Sequence, residues 1–128
     1  MHVLHNPDTV VPPLSNYTQA VEVPAGARWL YLSGQVGIDV DGTAGDGFVA
    51  QCDIAWKHVL NLLEAGGMGP EDVVKITVYL TRTEDLVAYR EGRDRALGEN
   101  KPASTLIIIS SLARPNLLVE IEAVAAKA

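Results

Sequence analysis

Near its C-terminus the chain contains two apolar segments that constrain the fold more than any other feature. Leu106–Ile109 is apolar at every position, and Leu117–Ala125 is apolar except for Glu120 and Glu122. Successive side chains of a β-strand point to opposite faces of the sheet. The first segment is therefore apolar on both faces, and the second has one apolar face and one face that carries both carboxylates. A chain with such strands has two sheet faces to cover.

The remaining sequence predicts helices for one of these faces. Apolar residues recur at helical spacing in Phe48–Ala65, and a second helix is predicted over Glu84–Leu97. The apolar stripe of the first helix consists of Phe48, Cys52, Ala55, Val59 and Leu62. The other predicted strands are Tyr17–Val23, Trp29–Val36 and Val73–Leu80. A turn at Pro24-Ala25-Gly26 predicts that the first two strands form a hairpin. The order ββαβαββ predicts an α+β fold, a mixed sheet with both helices on one face.

The second face of the sheet predicts self-association. It combines aromatic, aliphatic and polar side chains, namely Trp29, Tyr31, Ser33 and Gln35 on one strand, Val73, Lys75, Thr77 and Tyr79 on the next, and Leu118, Glu120, Glu122 and Val124 on the last. Two helices cannot cover both faces of a sheet, and exposed patches of this kind mark interfaces. We expect assembly into a closed ring, with Glu120 on the inter-subunit side and small-molecule pockets at subunit boundaries.

Length and charge narrow the classes of function. The 128 residues predict one domain over residues 1–128. The net charge of −6 and the scattered Lys and Arg residues disfavour nucleic acid as a partner. No apolar run approaches the roughly 20 residues that span a bilayer, and Met1–Val11 has no signal-peptide pattern. The single cysteine, Cys52, suits a reducing compartment, so we expect a cytoplasmic protein without a membrane partner. His2, His5 and His58 form no metal-binding pattern.

Five motifs resemble the RidA family, which is also called the YjgF or endoribonuclease L-PSP family. They are SNYTQAV (15–21), LYLSGQVG (30–37), DVVKITVYLT (72–81), KPAST (101–105) and VEIEAVA (119–125), and they keep the order and spacing of the family along nearly the whole chain. The resemblance implies a chorismate-mutase-like fold, a homotrimer, and ligand clefts between neighbouring subunits.

The resemblance also implies a chemistry and its residues. Active members of the family hydrolyse 2-imino or enamine acids to 2-keto acids and ammonia, without a metal or a cofactor. The cleft tyrosine of the family matches Tyr17. The serine of its Ser-Gly-Gln motif matches Ser33. We include the next residue, Gly34, among the predicted ligand-binding residues. The carboxylate that positions or activates water matches Glu120.

The sequence departs from the family at its substrate-binding arginine. The arginine should follow Pro102-Ala103, but Ser104 stands there, and the family cysteine nearby is replaced by Leu106. A guanidinium grips a carboxylate with charge and two parallel hydrogen bonds, whereas a serine offers one neutral hydroxyl. Branches that lack the arginine are not regarded as imine deaminases.

Other cations are candidates for the missing charge. They are Arg90, Arg93, Lys101 and Arg114, of which we retain Arg90 and Arg114 beside Ser104 as predicted substrate-binding residues; each also fits a solvated surface charge. Three functions remain open. They are an imine or enamine hydrolase with an altered ligand class, a non-enzymatic metabolite sensor or partner-binding trimer, and a ribonuclease, which the acidic charge disfavours.

Overall fold

The computed structural model describes residues 1–128 and contains a four-stranded mixed sheet, a separate two-stranded sheet and two helices. The elements are β1 (Val3–His5), β2 (Ala20–Glu22), β3 (Arg28–Val36), α1 (Phe48–Ala65), β4 (Val73–Leu80), α2 (Leu86–Leu97), β5 (Ala103–Ile108) and β6 (Val119–Lys127). The order in the large sheet is β3-β6-β4-β5, antiparallel except for the parallel pair of β4 and β5. The predicted α+β fold is confirmed.

The predicted hairpin between the first two strands is wrong. Strand β2 pairs with β1, for which no strand was predicted, and β3 pairs with β6. The reason is that β6 and β2 compete to pair with β3. Strand β6 is as long as β3 and pairs with it along most of its length, whereas β2 has only three residues to offer.

Helix α1 has the predicted bounds and covers the sheet with an apolar stripe. Val59 and Leu63 are fully buried, but Leu62, a member of the predicted stripe, is 39% exposed. The residue that follows Val59 on the buried side of the helix is Leu63, four positions later, and not Leu62, three positions later. Helix α2 begins at Leu86, two residues later than predicted, because a 3₁₀ turn over Thr83–Asp85 precedes it.

The core lies between the helices and one face of the large sheet. Its strand residues include Ile76, Val78, Leu80, Val119, Ile121, Ala123 and Ala125. They alternate as predicted on β6 and, from Lys75 onward, on β4. The prediction is wrong for Val73, which is expected on the second face but is buried in the core, because the register shifts between Val73 and Lys75. Strand β3 departs from the prediction at its end. An irregularity between Leu32 and Gln35 places Gln35 opposite Ile121 and Val36 opposite Glu120, so the last two residues exchange faces.

No helix or strand of the chain covers the other face of the large sheet, which we call the open face. Trp29 is 51% exposed and Tyr31 is 75% exposed, with their rings 6.5 Å apart. Neither of the two helices is long and apolar enough to cross a membrane.

Candidate functional site

Glu120 lies on the open face near one end of the sheet, as the second residue of β6. On β6 it is opposite Val36 of β3 and Tyr79 of β4. Its side chain lies across Gly34, where a Cβ atom would collide with the carboxylate and would lie 2.9 Å from the Cγ of Glu120. A glycine at this position therefore leaves the space that the carboxylate occupies.

The two carboxylates of β6 differ in their partners. Glu122 accepts a hydrogen bond of 2.5 Å from the hydroxyl of Tyr79, and this bond is the main reason why the pKa of Tyr79 is raised. The carboxylate of Glu120 has no hydrogen bond and no ion pair within the chain, although it is partly buried. Glu122 is thus held by the sheet, and Glu120 is available to a ligand or a neighbouring subunit.

Ser33 immediately precedes Gly34, the residue that lies against Glu120. It is exposed, and its carbonyl oxygen accepts a hydrogen bond of 3.0 Å from the Nε2 of Gln35. The structure therefore brings together three of the predicted residues, Ser33, Gly34 and Glu120, which we call the open-face group.

A second set of predicted residues meets at the edge of the sheet. The backbone N–H of Thr18 donates to the carbonyl of Pro102 at 3.2 Å, which fixes the segment before β2 alongside the start of β5. Tyr17 and Ser104 consequently line one cavity of about 220 Å³, together with Arg90 of α2. The full lining of this edge cavity is Leu14, Ser15, Tyr17, Leu86, Tyr89, Arg90, Arg93, Ser104 and Leu106.

Arg93 is a member of the edge cavity that is absent from the predicted substrate-binding set. Only 4% of it is exposed, and its guanidinium donates to the Oγ of Ser15 at 3.2 Å and to the Oδ1 of Asp94 at 3.0 and 3.1 Å. The signal in the sequence is its position three residues after Arg90, which places both on one side of a helix. Arg90 itself has no side-chain hydrogen bond and no ion pair.

The other candidate cations lie elsewhere. Arg114 is exposed in the turn before β6 and lines none of the cavities. Lys101 lines the largest cavity, of about 520 Å³, which both ends of the chain border and which contains none of the predicted site residues.

The two sets lie on opposite faces of the sheet. Ser104 is opposite Ile76, which is in turn opposite Ala123, and both of these residues are buried on the helix-facing side. Glu120 belongs to the open face. One chain therefore does not bring Tyr17 and Ser104 into a common pocket with the open-face group.

The structure offers little for metal or thiol chemistry. No three His, Cys, Asp or Glu side chains converge in an arrangement that could hold a metal ion. Cys52 is 1% exposed, and burial raises the pKa of its thiol to about 12. The thiol is therefore a core side chain that stays protonated at neutral pH.

The fold and these two polar groups define a class of protein. It is a small α+β chain with two helices on one face of a mixed sheet, an uncovered opposite face that carries an unpaired carboxylate, and a polar cavity at the sheet edge.

Comparison with known proteins identifies the family. The family model described as endoribonuclease L-PSP matches residues 8–127. The chain is 32% identical over 121 residues to a RutC family protein of Pyrococcus horikoshii, with 90% of each chain covered. It is 34% identical over 111 residues to the 2-iminobutanoate/2-iminopropanoate deaminase of Mus musculus, covering 85% of this chain and 79% of that protein.

Comparison with solved structures gives the same family. The fold superposes with a TM-score of 0.88 on a protein of unknown function from the conserved Rid family of Yersinia pestis, at 30% identity and over 98% of both chains. The chain belongs to the endoribonuclease L-PSP family, the RidA or YjgF family whose motifs its sequence carries.

Proposed function

We propose that the protein is a homotrimer that binds a small metabolite between subunits and hydrolyses an imine or enamine bond of that ligand. In this proposal the edge cavity of one subunit faces the open-face group of its neighbour. The observation that carries the proposal is Glu120, a carboxylate without a partner that a glycine accommodates on a face no element covers.

The division of the site favours a cleft between subunits. Tyr17 and Ser104 line the edge cavity, and Glu120 lies on the opposite face of the same sheet. A second copy that covers the open face would remove Trp29 and Tyr31 from water and could bring the two groups together. The relative from Mus musculus that is named as an iminobutanoate/iminopropanoate deaminase supports this class of reaction.

The chemistry requires a base and hydrogen-bond donors. Water adds to the carbon of the C=N bond, and Glu120 accepts one proton from that water and passes it to the nitrogen, which gives a carbinolamine. Transfer of the remaining hydroxyl proton to the nitrogen then breaks the C–N bond, so that ammonia leaves, a carbonyl forms and Glu120 is again a carboxylate. The hydroxyls of Tyr17 and Ser33 orient the ligand. Ser104 in place of the arginine implies a ligand different from that of the standard 2-imino acid deaminases. It also favours the second candidate, a sensor that binds its ligand without turnover.

The test generates 2-iminobutanoate in situ with a threonine dehydratase and follows its disappearance. We expect Glu120→Gln to abolish any hydrolysis above the rate without protein, and Glu122→Gln to retain it as the matched control, because a glutamine oxygen can still accept the hydrogen bond of Tyr79. Hydrolysis that stays above the rate without protein in Glu120→Gln would refute the role of this carboxylate. If the wild-type protein is inactive and Ser104→Arg is active, the cleft is intact and serves another ligand.

Two further measurements complete the test. The mass in solution should be three times the 13.7 kDa of the chain, and a monomer at working concentration would overturn the cleft. Ligand-dependent thermal stabilisation without product would select the sensor over the hydrolase.

A further inference from the structure

Another cavity lies along the seam between the two helices, and we call it the seam cavity. Its volume is about 250 Å³, and it shares no residue with the edge cavity. Helix α1 supplies five of its lining residues and α2 supplies three. None of the five belongs to the apolar stripe with which α1 covers the sheet. The seam cavity therefore opens on the side of the helices that faces away from the sheet.

The lining of the seam cavity includes a buried donor that has no partner. Trp56 is 2% exposed, and its Nε1 makes no hydrogen bond within the chain. Its ring is stacked on Tyr89 of α2, with the ring centroids 6.5 Å apart, so the indole is held in place. An indole N–H can only donate, and leaving it buried without an acceptor is unfavourable. A ligand that brings an oxygen acceptor to this N–H would remove that cost.

The other uncharged lining residues favour a flat apolar group. Gly92 presents no side chain to the cavity, and a Cβ atom there would lie 2.8 Å from the Sγ of Cys52. The glycine thus lets the two helices approach closely. Leu60 and Ala96 are half-buried and supply the remaining apolar surface. An aromatic ring gains the most contact on such a surface, because it can lie flat on the small residues and against the indole.

The charged residues of the seam cavity favour an anion. Arg95 donates to the Oδ1 of Asp53 at 3.1 Å, and this ion pair joins α2 to α1. The two side chains are 55% and 56% exposed, so the ion pair contributes little to stability and opens readily. Lys57 is exposed and has no hydrogen bond or ion pair. Two cations thus share one carboxylate, in a chain whose net charge is −6, and a cavity of this kind attracts anions.

We propose that the seam cavity binds a planar aromatic anion. The ring of the ligand lies against Trp56, Leu60 and Ala96. One oxygen of the anionic group accepts the N–H of Trp56, and Lys57 and Arg95 bind the others, so that the ligand replaces Asp53 as the partner of Arg95. This site is separate from the cleft of the proposed function and lies within one chain, so its ligand binds whether or not the trimer forms.

The test is titration calorimetry with 1-naphthalenesulfonate as the probe. Trp56→Phe keeps an aromatic ring but removes the N–H, and it should weaken binding about fivefold because one hydrogen bond is lost. Trp29→Phe is the matched control. It removes the only other indole of the chain, which lies on the open face, and it should bind the probe as the wild-type protein does. The control also detects a probe that binds the exposed rings of the open face instead.

Charge variants test the site without altering the core, because each of these side chains is exposed. Lys57→Met and Arg95→Met should each weaken binding about threefold. Lys101→Met is their control, since Lys101 borders a different cavity, and it should have no effect. Asp53→Asn should tighten binding about threefold, because it removes the carboxylate that competes for Arg95. A merely structural role for Asp53 predicts no such gain.

Two other probes test the ligand class. The neutral 1-naphthalenesulfonamide should bind more weakly than the sulfonate, because it lacks the charge. Cyclohexanesulfonate should also bind more weakly, because its ring is smaller and not planar.

Several results would overturn the inference. They are absence of binding by the wild-type protein, equal binding by Trp56→Phe, loss of binding in Trp29→Phe, and unchanged or weaker binding by Asp53→Asn. If circular dichroism shows that Trp56→Phe does not fold, the variants of Asp53, Lys57 and Arg95 decide the matter.

Discussion

Gln51 offers the sharpest test of how the fold supports the site. Its side chain on α1 is 3% exposed, and its Nε2 donates to the carbonyls of Gly45 at 3.2 Å and Asn116 at 3.0 Å. Its Oε1 accepts a hydrogen bond of 2.8 Å from the N–H of Leu118. One amide therefore joins the loop before α1 to the turn before β6, the strand that carries Glu120.

Replacement by methionine removes all three bonds with little change in length. A hydrogen bond contributes about 1 kcal/mol net, so Gln51→Met should lower the free energy of unfolding by roughly 3 kcal/mol. That is a large share of the roughly 5–15 kcal/mol by which domains are stable, and it corresponds to a fall in Tm of roughly 10 °C.

The assay is urea unfolding followed by tryptophan fluorescence at one fixed protein concentration. Asn61→Met is the matched control, because Asn61 is an exposed amide on the same helix without a side-chain hydrogen bond. A loss of stability below about 1 kcal/mol for Gln51→Met, or equal to that of the control, would refute the reasoning.

Gln51→Glu adds a dependence on pH. A carboxylate can accept from Leu118 but cannot donate to the two carbonyls, so the pKa of the new side chain should be raised in the folded state. The free energy of unfolding of the variant is then closest to that of the wild-type protein when the new acid is protonated. The difference between the two free energies should be small near pH 4 and should grow as the pH rises above the ordinary glutamate pKa of about 4.3. A deficit independent of pH would contradict this account.

Three more predictions concern glycines and the thiol. In Gly37→Ala the new Cβ would lie 2.5 Å from the Cα of Gln51, so the backbone must shift, and urea unfolding should show a loss of about 1–3 kcal/mol; an unchanged midpoint would contradict this. Gly34→Ala meets only the flexible end of Glu120 and should leave stability within about 1 kcal/mol while it reduces hydrolysis or ligand-dependent stabilisation; unchanged function would count against the open-face group. Burial raises the pKa of Cys52 from 9.0 to about 12, so its stabilising contribution is complete below pH 9 and declines toward pH 12. Cys52→Ala should make the alkaline loss shallower by up to about 1.4 kcal/mol per pH unit, and an unchanged slope would disprove the shift.

Local patterns in the sequence are sufficient for the elements that depend on periodicity. Helix α1 has the predicted bounds, because an apolar stripe and a following Gly66-Gly67 define a helix within one segment. The alternation on β4 and β6 places Glu120 on the open face for the same reason: the pleat of a strand repeats every two residues. The family motifs also indicate Tyr17 and Ser33, which the structure places in the edge cavity and the open-face group.

Which segments meet is a property of the packing of the whole chain. Strand β2 pairs with β1 because partners compete over the full length of the sequence, and an irregularity in β3 exchanges the faces of Gln35 and Val36. The grouping of Ser104 with Arg90 requires α2 and β5 to border the same cavity, and no local pattern encodes that arrangement. The periodicity of a segment determines on which face of its own helix or strand a side chain lies. A site also depends on which distant segments pack together, because this packing decides which side chains meet.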